Sequence, residues 1–219
     1  MAKQVGMQVE SSNKREHSLV MLSGGVDSTA ALWHTLNHRY EYCKVHVHHI
    51  HIHNLEGRWK IEAQAVKAIL KYMEKHAPIP FTYSESVIAV PSVGKNFLFD
   101  AELISFITGY MTSRDPSITK VVIGATSDDF SRNTTSNAIK RGKAIHNAFH
   151  DEKNDHSGAI KNYPLKDLTK QAAYDLLPPE LARLTWSCRT PLLANGSYIE
   201  CGTCKACKLE LRHLSRTRG

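Results

Sequence analysis

The chain has 219 residues, 42% of them hydrophobic, and a formal net charge of +7. This length bounds one domain with an appendage, and no stretch approaches the roughly 20 apolar residues that span a bilayer, so no membrane role is expected. The positive balance suits acidic ligands such as ATP and would also suit RNA or DNA, but the charge is spread along the chain, and direct nucleic-acid binding is not expected.

Residues 1–16 are polar, lack the apolar centre of a signal peptide, and read as a disordered tail on a cytoplasmic protein. Residues 17–22 read as a buried strand. Ser23-Gly24-Gly25-Val26-Asp27-Ser28 follows, and residues 29–38 read as a helix. Strand, glycine turn and helix is an arrangement that holds phosphate. The glycines bring backbone N–H groups close to a ligand, and the helix start adds unpaired donors and a positive dipole end. Ser23, Ser28 and Thr29 add hydroxyls. Asp27 makes sense beside phosphates if Mg²⁺ accompanies them. The loop lacks the Lys-Ser/Thr pair of a Walker motif.

Residues 41–53 read as a second strand carrying His46, His48, His49, His51 and His53. Alternation puts His46, His48, Ile50 and Ile52 on one face, with Val45, Val47, His49, His51 and His53 on the other. The apolar side switches near His48, as expected of a strand that leaves the core towards a ligand-facing end. A metal role for these histidines is the lesser reading. Cys43 reads as a buried, inert thiol.

Residues 55–76 predict an amphipathic helix, with Trp59, Ala63, Val66, Ile69, Leu70 and Met73 inward and Arg58, Lys60, Glu62, Lys67, Lys71 and Glu74 in solvent. Strands are predicted over 81–90, 120–125 and 159–165. Helices are predicted over 96–114, 137–150 and 167–177, and loops over 91–96 and 126–132. In the helix after residue 96, Phe97, Leu98, Ala101, Leu103, Ile104, Ile107 and Met111 suit burial. Alternating strands and helices imply an α/β fold with a doubly wound parallel sheet, whose ligands bind beyond the carboxyl ends of the strands. That rule gathers the glycine loop, the histidine strand end, Asn96 and the Asp128–Asp129 loop around one cleft. Lys170 is a candidate for the same side, against its commoner fate as a solvated helix charge.

Cys188, Cys201, Cys204 and Cys207 are spaced C-x12-C-x2-C-x2-C. Clustered thiolates in a reduced compartment point to a metal, and four protein ligands to a closed, structural Zn²⁺ site with one ion per chain. An iron–sulfur cluster is the main competitor, since C-x2-C-x2-C also begins a ferredoxin pattern. The chain therefore divides into a tail (1–16), an ATP-binding α/β domain (17–184) and a zinc-binding C-terminal segment (185–219).

The hexamer SGGVDS resembles the pyrophosphate loop of the ATP pyrophosphatases, whose pattern is SGGxDS. Together with Thr185-Trp186-Ser187-Cys188 and Cys201-Gly202-Thr203-Cys204-Lys205-Ala206-Cys207, it resembles the 7-cyano-7-deazaguanine synthases of that superfamily. Matches in between are Val90-Pro91 to Asn96 followed by Phe97-Leu98-Phe99, Gly124 to Ser131, and Pro164-Leu165 with Lys170. His48-His49-Ile50-His51 stands where the family has an Asp-Tyr-Gly-Gln-like motif, Lys95 where it has arginine, and Arg132-Asn133-Thr134-Thr135 where it has YPDCR. The resemblance implies a C–N-forming ligase that converts 7-carboxy-7-deazaguanine and ammonia to the nitrile, splitting ATP to AMP and pyrophosphate, in queuosine or 7-deazaguanine biosynthesis. It assigns ATP to Leu22, Ser23, Gly24, Gly25, Val26, Asp27, Ser28 and Thr29. It assigns catalysis to Asp27, Ser28 and Lys170, and substrate binding to Lys95, Asn96, Asp129 and Phe130. Asp129, with Asp128 a weaker candidate, would read the guanine-like edge, unless either is a helix cap. A homodimer is what the family would suggest. A relative stopping at the amide, a tRNA-thiolating enzyme of the same superfamily and a non-enzymatic zinc-knuckle module remain the alternatives.

Overall fold

A computed structural model describes residues 16–37, 44–90, 100–131, 133–150 and 159–208, with the side chains of 133–136 left aside. In chain order the elements are β1 (His17–Met21), α1 (Val26–Asn37), β2 (Lys44–His53), α2 (Trp59–His76), β3 (Phe81–Ala89), α3 (Asp100–Arg114), β4 (Lys120–Val122), α4 (Ser127–Phe130), α5 (Asn133–Asn147), β5 (Ile160–Asn162), α6 (Lys170–Asp175), α7 (Pro179–Ala182), β6 (Leu192–Ala194) and β7 (Ser197–Ile199). The first five strands form one parallel sheet in the order β3-β2-β1-β4-β5. The order reverses between β1 and β4. A crevice opens where neighbouring strands send their connections to opposite sides.

Alternation along the strands divides the core into two layers. Val20, Val45, Val47 and Val122 face α1, α2 and α6, where Ala30, Leu32, Val66, Ile69, Met73 and Ala173 are buried. Leu19, Met21, Ile50, Ile52 and Val121 face α3, with Leu103, Ile104, Ile107 and Met111 packed against them. The change of apolar side along β2 is therefore real: its valines serve one layer and its isoleucines the other.

Several expected boundaries move. α1 begins at Val26, inside the glycine motif, and α2 begins at Trp59. Arg58 and Glu62 are not solvent-facing: each is 8% exposed, because they pair with one another. On α3 the fully buried positions are Glu102, Ser105, Thr108, Gly109 and Thr112, a small and polar stripe that meets α5, while the apolar residues are half-buried against the sheet. The segment after β4 contains a helical turn, α4, whose Asp129 Oδ2 accepts from Thr126 N and Oγ1. Three further elements, α7, β6 and β7, go beyond the sequence expectation. Pro178 and Pro179 start α7, since proline fits a first helical turn. β6 and β7 form an antiparallel hairpin around Asn195-Gly196, both with positive φ. Asn-Gly is a strong signal for such a turn. Among the described residues, no helix is long and apolar enough to cross a membrane.

Candidate active site

The glycine loop sits at the carboxyl end of β1, where the order reverses. Gly24 adopts φ +85°, which glycine alone enters freely. The turn is locked from within. Ser28 Oγ accepts from Ser23 N at 3.1 Å and donates to Gly25 O at 3.0 Å, and Thr29 Oγ1 donates to the same carbonyl at 2.9 Å. Gly124, just beyond β4, lies so close that a Cβ there would stand 2.5 Å from the carbonyl carbon of Asp27 and from Ser28 N. The histidine strand holds the loop from the other side. Leu22 N donates to His48 O, and His49 Nδ1 donates to Leu22 O at 2.8 Å. A carbonyl can only accept, so the His49 proton sits on Nδ1 and Nε2 carries a lone pair. That Nε2 is buried with no partner among the described residues.

Asp27 points from the first turn of α1 into a cleft of about 330 Å³. Lys170 Nζ donates to Asp27 Oδ2 at 2.8 Å, and Lys170 N donates to Asp128 Oδ2 at 2.7 Å. Asp128 thus anchors the start of α6, and α6 delivers Lys170 to the glycine loop. Burial raises the Asp27 carboxyl above its ordinary range, against the opposing pull of Lys170. Asp27 Oδ1 is buried and without a partner among the described residues.

A second charged group closes the cleft near α2. Arg58 bonds Glu56, Glu62 and Asp100, and Arg189 reaches Asp100 at 3.4 Å. Burial alone would lower the Arg58 guanidinium, but the three carboxylates push it up instead. Burial would likewise raise Asp100, but Arg58 and Arg189 hold it low. Composition gave no clue to this cluster, because its members lie on three separate segments.

Of the expected substrate residues, Asp129 lines the cleft, with Oδ2 engaged by Thr126. Phe130 meets Tyr163 edge to face at 5.4 Å, and it is Tyr163 that borders the cleft. Lys95, Asn96 and Cys43 lie outside the described residues. The histidine column is occupied by hydroxyls of β3. His46 contacts Thr82 and Ser84, and His48 contacts Ser84 and Ser86, all at 2.7–3.0 Å.

The four C-terminal cysteines converge, with their ligand atoms all within 4.8 Å of one another. They are free thiols. Cys201 N donates to Cys188 Sγ and Cys204 N to Cys201 Sγ, each at 3.3 Å. The β6–β7 hairpin fills the long gap between the first two cysteines. The Thr190 hydroxyl, with backbone N–H groups, holds the Cys201 thiol down at about 5, whereas burial pushes the Cys188 and Cys207 thiols up. Thiolates fed by N–H donors suit a tetrahedral metal, and among the described residues this is the one His/Cys/Asp/Glu group so placed. The group is joined to the cleft: Trp186 N donates to Gly24 O at 2.8 Å, Trp186 Nε1 donates to Cys188 O, and Ser187, Arg189 and Ala206 line the wall.

The fold has a solved counterpart. The structure of the U34-tRNA thiolase NcsA from Methanococcus maripaludis, with its [4Fe-4S] cluster, matches over 93% of this chain with a TM-score of 0.51 and 16% identity. This chain spans 66% of that protein's length. The likeness is one of fold: a five-stranded parallel α/β sheet of the kind on which that thiolase is built. No protein-family profile matches the chain, and no curated protein matches it.

Proposed function

We propose that this protein is an ATP-dependent ligase that adenylates 7-carboxy-7-deazaguanine and converts it, with ammonia, to 7-cyano-7-deazaguanine. The observation that carries the ATP chemistry is the Asp27–Lys170 pair at the mouth of a glycine turn opening a 12-residue helix. Gly24, Gly25 and the N–H groups of Val26 to Ser28 would receive the phosphates, the Thr29 N–H being spent on Gly25 O. The substrate carboxylate attacks the α-phosphorus and pyrophosphate leaves. Ammonia attacks the acyl-adenylate, releasing AMP and the amide. A second ATP adenylates the amide oxygen, and loss of AMP leaves the nitrile. Two anions must approach one another, so donors fixed in advance lower the barrier by offsetting charge that builds up. Lys170 supplies positive charge and Ser28 fixes the turn. The unpartnered Asp27 Oδ1 fits a Mg²⁺ ligand, and that ion, when bound, neutralises phosphate charge. Cys188, Cys201, Cys204 and Cys207 would hold one structural Zn²⁺.

Incubation of the protein with ATP, Mg²⁺, ammonium and 7-carboxy-7-deazaguanine, followed by mass spectrometry, tests this. Nitrile with AMP and pyrophosphate is the expected result. Amide alone would mean a shorter course of the same chemistry, and untouched acid with no AMP would remove the substrate assignment. Asp27→Ala is expected to lower AMP formation by about 100-fold or more with little change in thermal stability. Equal activity would take the loop out of the chemistry.

A second reading is tRNA thiolation, favoured by the thiolase counterpart and by cysteines beside the cleft wall. It expects iron in the purified protein and sulfur transfer to tRNA in place of nitrile formation.

A further inference from the structure

The cleft is lined by four cations, and three of them have carboxylate partners. Lys170 is held by Asp27, Arg58 by Glu56, Glu62 and Asp100, and Arg189 by Asp100. The fourth is Lys161, on β5, opposite Val121 of β4. Its Nζ donates to Ser105 Oγ on α3 at 2.8 Å and to Gly142 O on α5 at 3.0 Å. Both acceptors are neutral, and no described carboxylate pairs with it. Ser105 is 2% exposed and spends its own proton on Ala101 O, so it presents only a lone pair. The helices cross tightly there: a Cβ on Gly142 would lie 2.5 Å from Ser105 Oγ. The ammonium is therefore built into the α3–α5 crossing, with two N–H groups committed and a third available to the cleft. Burial holds the amine down at about 8, with no charged neighbour contributing. A half-buried cation without a carboxylate partner is costly unless something completes it.

We propose that Lys161 is the anion anchor of this cleft, completed by an anionic group of a bound ligand: the carboxylate of the acceptor acid or a phosphate oxygen of the nucleotide. Ser105 on α3 and Gly142 on α5 fix the ammonium, so the anion it receives is oriented by the two helices. The inference rests on the functional reading above only in taking this cleft as the ligand site.

Calorimetry on the full chain separates the two anions. Wild type, Lys161→Met and Lys161→Arg are each titrated with 7-carboxy-7-deazaguanine and, separately, with Mg²⁺ and α,β-methylene-ATP. Lys161→Met is expected to weaken one of them by about 10- to 100-fold, with Lys161→Arg recovering part of the loss. Loss confined to the acid identifies its carboxylate as the anion, and loss confined to the nucleotide identifies a phosphate. The ligand-free Lys161→Met protein is expected to melt close to the wild-type temperature, because loss of the bonds to Ser105 and Gly142 offsets the relief of an unpaired charge. A purely structural lysine would instead lower the melting temperature and leave both affinities unchanged. That result, with wild type binding both ligands, overturns the anchor and leaves the ligase reading intact. Wild type binding neither ligand overturns both.

Discussion

Gly124 shows what one missing atom does. It follows β4, yet its α-carbon sits against the backbone of Asp27 and Ser28 with no room for a methyl group. Gly124→Ala must push the first turn of α1 away from the strand. Overpacking of this kind costs about 1–3 kcal/mol, and here the displaced atoms carry Asp27. The variant is expected to lose that much stability in a urea titration and most of its nucleotide affinity. Retention of both would mean that the turn relaxes without consequence. The place of Lys170 on the side of the glycine loop was legible from its position after the fifth strand and from the family resemblance, and its Nζ does meet Asp27. The places of Lys161, Arg58 and Glu62 were not legible. A lysine on a short strand and an Arg–Glu pair at helical spacing look like solvent-facing charges until the neighbouring helices are placed over them.

At the scale of the element, β2 is the instructive case. The switch of its apolar side was visible in the alternation, and both core layers use it. What alternation could not reveal is that β3 offers Thr82 and Ser84 in register with His46 and His48, and Ser86 on the diagonal to His48. Burial pushes His48 and His49 down to about 4, and His146 on α5 likewise. The unfolded chain takes up these protons near 6.5, the folded chain only near 4. Their contribution is thus complete above about pH 6.5 and is lost as pH falls through that window. Asp27 and Glu62, whose carboxyls are raised, act in the opposite sense. Stability is expected to fall on the order of a few kcal/mol between pH 6.5 and 4, measured by denaturant melts. Replacing His48 with Gln should flatten that slope in part, and an unchanged slope would remove His48 as a source. The hairpin β6–β7 and the helix α7 went unseen for a simpler reason: each element is only three or four residues long, too short for periodicity to show.

At the scale of the whole molecule, the order of the sheet follows from alternating strands and helices, and the reversal beside β1 puts the glycine loop in the crevice. The cysteine group was legible by spacing. Its seat against the loop was not, because one backbone bond from Trp186 to Gly24 leaves no trace in composition. That bond predicts a distant effect of metal removal. Metal binding and local folding are coupled in such knuckles, so a strong chelator is expected to lower the melting temperature by about 5–10 °C and to weaken nucleotide binding. Elemental analysis is expected to return one zinc per chain, and iron with a brown colour would replace zinc with a cluster. Unaltered nucleotide affinity after complete chelation would show that the loop holds its shape alone.

The Trp186–Gly24 bond also orders events in time. A ribosome releases the glycine loop well before its partner tryptophan. The nascent chain can pair β1 with β2, and β2 with β3, long before Trp186 emerges, but its glycine loop stays unlatched until then. A chain that stops before Trp186 but still folds its sheet would lack this latch, so the shape of the glycine loop would report on whether synthesis has passed that residue.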